Sequence, residues 1–138
     1  MKLFLSIRIN SYVSDVFGKL KNRNYLTNSS FDTLVDGLTS LFGDINALHP
    51  FREGNGRLQR EFINMIAKIN GYELSFVSIT SDNMIEASHM INNGHEEMIR
   101  GLFEKNIHRI DPNKQSNYID KYEKNRLLKK QLLTIVSK

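Results

Sequence analysis

Residues 31–69 read FDTLVDGLTSLFGDINALHPFREGNGRLQREFINMIAKI, and the spacing of their apolar side chains decides the fold. Phe31, Leu34, Val35, Leu38, Leu41, Phe42, Ile45 and Leu48 recur every three or four residues, which puts them in one stripe along a helix. Ser29 or Ser30 can cap its start, with Asp32 in the first turn. Pro50 disfavours helical geometry in the residue before it, so the helix ends at His49. After a loop from Pro50 to Gly56, Leu58, Phe62, Met65, Ile66 and Ile69 mark a further helix that begins at or near Arg57 and is stopped by Asn70-Gly71.

Helical spacing continues on both sides of this pair. Upstream, Tyr12, Val13, Val16, Phe17 and Leu20 share a face, and the polar run Lys21-Asn22-Arg23-Asn24 breaks the pattern. Downstream, Ser81 reads as the cap of a helix carrying Met84, Ile85, Met90 and Ile91, closed by Asn92-Asn93-Gly94. Met98, Ile99, Leu102 and Phe103 mark another helix, and Pro112 separates this body from a last basic helical segment. No long alternating pattern occurs, although Tyr72 to Ile79 can be briefly extended. The expected fold is all-α, with at most a strand at the N-terminus. We read 1–111 as the core and 112–138 as a basic C-terminal helical extension.

A chain of 138 residues supplies one hydrophobic core rather than two. No apolar run approaches the length that spans a bilayer, which excludes a membrane protein. Met1 to Ile9 is interrupted by Arg8 and lacks a small-residue cleavage site after it, so it reads as mature sequence rather than a secretory leader. Cysteine is absent, which rules out disulfides and thiolate chemistry and suits a cytoplasmic protein. The net charge of +4 favours polyanionic partners. Much of it lies between Lys121 and Lys138, where the solvated face of a terminal helix is the ordinary explanation.

The segment His49 to Arg60, HPFREGNGRLQR, holds what packing does not require. Gly54-Asn55-Gly56 gives a backbone that turns tightly and points bare N–H groups at a ligand, beside the positive end of the next helix. Arg57 and Arg60, three apart, lie on one helix face and can both reach phosphate oxygens. Glu53 offers one hard oxygen to a phosphate-bridging magnesium ion, and His49 can accept a proton near neutral pH. Each feature alone has an ordinary explanation as a turn, a cap or a surface charge; their coincidence within twelve residues points to a site. Phe51 reads as an anchor of the loop, whereas Gln59 and Arg52 have no assignable role. His89, His95 and His108 share no metal-ligand spacing.

These twelve residues resemble the signature of the Fic family, HPF-x-(D/E)-GN-G-R-x-x-R, with every defining position matched, and the similarity runs from about Phe4 to about Ile107. The resemblance implies a Fic-like helical bundle with the active loop between two central helices, and a protein adenylyltransferase that moves AMP from ATP to a Ser, Thr or Tyr hydroxyl of a target protein. By the same resemblance, His49 is the base, Glu53 holds Mg2+, and Gly54, Asn55 and Gly56 orient the α- and β-phosphates. Arg57 and Arg60 neutralise the β- and γ-phosphates. Glycine at position 56, where the Doc-type kinases place lysine, points to nucleotide rather than terminal phosphate transfer.

Two departures from the family pattern carry expectations of their own. Only a remnant of the β-hairpin flap that pins the target fits within residues 1–9. The inhibitory pattern (S/T)-x-x-x-E-(G/N) has no strict match; Ser78 to Asn83, SITSDN, is an Asp version that a helix cap explains better. The resemblance therefore implies inhibition by a small antitoxin protein whose glutamate takes Arg60, or by a helix missing from the N-terminal side. It also implies a bacterial protein acting in the cytoplasm as a toxin, or exported into a host cell as an effector. The alternatives are a nucleotide-binding regulatory module or degenerate Fic fragment without efficient transfer and, with only the tail charge in its favour, a basic nucleic-acid-binding helical domain.

Overall fold

The structure is a computed structural model that describes residues 14–16, 18–48 and 56–122. The expected strand or flap within 1–9 and the basic tail after Tyr122 lie outside the described residues.

Residues 14–16 and 18–22 are helical, with Val16 and Leu20 buried; the stretch 18–22, α1, continues through Lys21 and Asn22 before the chain turns. A 3-10 turn, Asn24–Leu26, follows with left-handed backbone angles at Asn24, Tyr25, Leu26 and again at Asn28. That conformation is uncommon for leucine. Burial of the Leu26 side chain against Gly37 offsets it, and Asn70 fixes the turn by donating from Nδ2 to the Tyr25 carbonyl at 3.0 Å.

The long helix α2, Phe31–Leu48, is the axis of the domain. Ser30 Oγ caps it by accepting from the Thr33 N–H at 3.2 Å, and Asp32 complements the helix dipole. Leu34, Val35, Leu38, Leu41, Phe42 and Ile45 are buried along the predicted stripe. Its first position, Phe31, instead sits at the rim, tilted against Tyr72 with ring centroids 5.7 Å apart.

Helix α3, Arg57–Ile69, packs along α2 through Phe62, Ile63, Met65 and Ile66. It ends where predicted, with Gly71 at φ +88, a conformation that favours glycine. A short strand β1, Tyr72–Leu74, then pairs antiparallel with β2, Ile107–Arg109, matching Tyr72 to Arg109 and Leu74 to Ile107. The extension expected over 72–79 is thus a three-residue strand followed by a 3-10 turn, Phe76–Ser78. The partner strand was not anticipated, because three residues are too few to show alternation.

Helix α4, Ser81–Asn92, is capped one residue earlier than the sequence suggested: Thr80 Oγ1, not Ser81, accepts from the Asn83 N–H at 3.1 Å. Helix α5, Glu97–Lys105, buries Ile99 and Phe103. The Phe103 ring meets both Phe42 and Phe76 edge-on, at 5.8 and 5.9 Å. Arg100 ties α5 to α2 through Asp36 and to its own helix through Glu104.

Helix α6, Pro112–Tyr122, begins at the proline, as its missing N–H allows, with Asp111 accepting from the Asn113 N–H at 2.7 Å. It lies on α3: Lys68 Nζ stands 4.7 Å from the Tyr118 ring centroid, and Gln115 Nε2 donates to the Ile69 carbonyl. The fold is helical as expected, with a two-stranded sheet added among the described residues.

Candidate active site

Two helix ends frame the motif. The last turn of α2 enters it at Leu48, and α3 leaves it at Arg57. His49, Glu53, Gly54 and Asn55 lie between them, outside the described residues.

On the incoming side, a helix C-terminus leaves its last carbonyls without intrahelical partners, so side chains must hold the turn in place. Ile45 and Asn46, each about 1% exposed, do so. Asn46 Nδ2 donates to the Ser88 carbonyl at 3.0 Å and to Asn92 Oδ1 at 2.9 Å. Its Oδ1 accepts from Ser88 Oγ at 2.6 Å. All three bonds cross to α4. This network was missed in the sequence, although a signal exists: Asn46 stands four residues after Phe42 on the buried face, where a polar side chain needs partners.

On the outgoing side, Gly56 is buried and has φ −84 and ψ −4, an ordinary helical conformation. Its glycine is therefore not required by a left-handed backbone. The Arg60 N–H donates to the Gly56 carbonyl at 3.0 Å, which closes the first turn. Gly56, as the N-cap residue, brings no side chain to close that turn, and the positive end of the α3 dipole lies at this terminus.

Arg57 and Arg60 do fall on one face. Both line an open cleft of about 360 Å³ with Glu61, Asn64, Glu73 and Phe76. Arg57 reaches along the helix to Glu61, Nε to Oε1 at 3.1 Å, and its side chain is 83% exposed. Arg60 is half-buried. Gln59, without a role in the sequence reading, points inward at 1% exposure and belongs to the core of α3.

A second cavity, about 250 Å³, lies between α1 and α2 and is lined in part by Lys19, Arg23, Ser40 and Asp44. It shares no residue with the arginine cleft. Burial pushes the Asp44 carboxyl above its ordinary range, and the nearby Lys19 charge opposes that shift. Among the described residues, no three His, Asp or Glu side chains gather as a metal-binding cluster, and no helix is long and apolar enough to cross a membrane.

Residues 8–67 match the model of the Fic/DOC family. Over 86 residues the chain is 41% identical to a protein adenylyltransferase of Bartonella henselae, a match covering 62% of this chain and 16% of that one. Over 108 residues it is 30% identical to the protein adenylyltransferase VbhT of Bartonella schoenbuchensis, covering 78% of this chain and 23% of the relative. The chain thus spans less than a quarter of the length of these two relatives. Among solved structures, the N-terminal Fic domain of a VirB-translocated Bep effector of Bartonella quintana with bound ADP superposes with a TM-score of 0.68 at 29% identity, covering 75% of this chain and 49% of that one. The BepC protein of Bartonella tribocorum with bound AMPPNP gives 0.67 at 26%, covering 75% and 50%.

Proposed function

The chain belongs to the Fic/DOC family, and from that premise we propose that it is a protein adenylyltransferase, transferring AMP from ATP to a hydroxyl side chain of a target protein. The observation that carries this reading is the pair Arg57 and Arg60. They face one cleft at the N-terminus of α3, directly after the HPFREGNG stretch. Two guanidinium groups and a helix N-terminus suit a triphosphate. The ADP and AMPPNP bound to the related Bartonella domains support the same reading.

In this mechanism the target hydroxyl oxygen attacks the α-phosphorus while its proton passes to the His49 imidazole. The bond from the α-phosphorus to the bridging oxygen breaks, and pyrophosphate leaves. Gly54, Asn55 and the Gly56 backbone orient the α- and β-phosphates, and Arg57 and Arg60 take charge from the β- and γ-phosphates. Alignment and charge neutralisation then supply most of the rate. A phosphate-bound Mg2+ would require little more than one carboxylate from the protein. Glu53, a hard oxygen donor next to the phosphate-orienting residues, fits that demand; the ion would offset phosphate charge.

The division into a catalytic core over 1–111 and a basic extension over 112–138 belongs to this proposal, with α6, at the start of the extension, packed on α3. So do action in the bacterial cytoplasm or, after export, in a host cell, and control by a small antitoxin protein whose acidic side chain pairs with Arg60. Gly56 favours AMP transfer over terminal phosphate transfer.

The test is incubation with Mg2+ and ATP labelled at the α-phosphate, with and without His49→Ala. Labelled protein that disappears in the variant is the expected result. Label that persists in His49→Ala refutes the base, label seen only from γ-labelled ATP indicates a kinase, and ATP binding without label indicates a regulatory module.

A further inference from the structure

We propose that Asn46 is a positioning residue for the transfer reaction, clamping the last turn of α2 to α4 and thereby fixing the approach of His49. The inference rests on the reading of His49 as the base.

An apolar side chain would fill the Asn46 position at lower cost, since a buried amide must recover every hydrogen bond it gives up to water. Here the amide does recover them, with three bonds reaching the neighbouring helix α4. Both N–H groups are used, toward the Ser88 carbonyl and Asn92 Oδ1, and the oxygen accepts from the Ser88 hydroxyl. Exchanging the amide oxygen and nitrogen would set oxygen against the Ser88 carbonyl, so only one orientation satisfies the set. The network therefore fixes rotation and register of the last turn of α2 relative to α4, which a greasy contact does only loosely.

What this turn carries explains the precision. Helix ends fray, and α2 ends at Leu48, with His49 the next residue and Asn46 three residues before it. A base must sit within hydrogen-bond reach of the hydroxyl it deprotonates, and about 1 Å of displacement costs roughly a hundredfold in rate. Arg57 and Arg60 belong to a different helix, α3, so a disturbance at Asn46 separates proton transfer from phosphate binding.

Three full-chain variants test this. Asn46→Leu keeps the branched shape of the side chain and removes every bond of the amide. Asn92→Ala, at an exposed residue, removes one acceptor with little risk to folding, and Asn92→Asp restores an acceptor. The readouts are kcat and KM for ATP in the labelling reaction, and the His49 ring resonance in a 1H–13C NMR spectrum, assigned by its loss in His49→Ala. In Asn46→Leu, kcat falls roughly tenfold to a hundredfold while KM stays within about twofold, and the His49 resonance shifts or broadens. Asn92→Ala moves both readouts the same way to a smaller degree, and Asn92→Asp returns them toward wild type. A folded Asn46→Leu protein with unchanged kcat and unchanged His49 resonance overturns the proposal, as does a loss of kcat that tracks lost stability and is not rescued by Asn92→Asp. If Asn46→Leu does not fold, the Asn92 pair decides. If the wild-type chain transfers nothing, the proposed function has failed, and the His49 resonance alone decides whether Asn46 positions it.

Discussion

Arg57 Nε lies 3.1 Å from Glu61 Oε1, one turn along α3, so a cation assigned to phosphate already has a carboxylate partner on the wall of the same cleft. Both side chains are more than half exposed, at 83% and 53%, and an i,i+4 pair of this kind contributes only about 0.3–0.5 kcal/mol. A triphosphate with several negative charges outcompetes it. Glu61→Gln should therefore tighten ATP binding by about twofold at low ionic strength, and the gain should vanish in high salt. Calorimetric titration with ATP at two salt concentrations measures this; an unchanged or weaker affinity means that Arg57 does not meet the phosphates.

Gly37 makes a second prediction, this one about stability. Glycine in mid-helix ordinarily costs about 0.5–1 kcal/mol relative to alanine, so Gly37→Ala would stabilise an isolated α2. A Cβ there would stand 2.8 Å from both Leu26 methyl carbons. Leu26 is 2% exposed and sits on a turn of left-handed residues, so it has little room to retreat. Overpacking of this kind costs about 1–3 kcal/mol, which exceeds the helix gain. Gly37→Ala should lower the melting temperature by several degrees. Leu26→Ala is itself destabilising, and the double variant should lose less than the two single losses added together, because the smaller side chain vacates the space the new methyl needs.

The legibility of this molecule follows from the range of the interactions involved. The α2 stripe and the Gly71 and Gly94 stops were readable because helical periodicity and left-handed glycines act within a few residues. The cap of α4 was displaced by one position because Thr80 and Ser81 are both good caps, and only the backbone geometry selects Thr80. Strand β2 exists through its pairing with β1, some 35 residues away, and no local pattern announces it. The site divides in the same way. Arg57 and Arg60 were placed on one face by their spacing. Asn46 carries no local signal of its partners, which α4 supplies from more than forty residues away, and Gln59, without an assignable role in the sequence, is turned inward by α3.

Asp44 gives stability a pH dependence of unusual sign for a carboxylate. Burial raises its folded-state pKa, and Lys19 only partly offsets this. The folded state therefore holds the proton more tightly than the unfolded chain does, and this group's contribution falls as pH rises from the unfolded value of 3.8 through the raised folded value. At neutral pH the group is a net cost. Asp44→Asn should raise the melting temperature at pH 7 and flatten the loss of stability above pH 4, whereas Lys19→Met should deepen that loss. Thermal melts of the three proteins across this range decide it; no difference between wild type and Asp44→Asn would mean that the carboxyl is effectively solvated.

Arg60 tests which phosphates the cleft receives. It is half-buried on the first turn of α3, beyond Gly56 and on the same cleft as Arg57. A hydrogen bond to a charged group contributes about 1.5–3 kcal/mol, so losing one should weaken binding by at least about tenfold. If Arg60 serves the β- and γ-phosphates, Arg60→Ala weakens ATP by that factor and ADP by less. AMP, which has neither group, is bound equally by both proteins. Titrating the three nucleotides against wild type and Arg60→Ala, with circular dichroism to confirm the helical fold, separates this from a general loss. Equal weakening of AMP and ATP would move Arg60 away from the terminal phosphates and remove the reason to expect an inhibitor's carboxylate there.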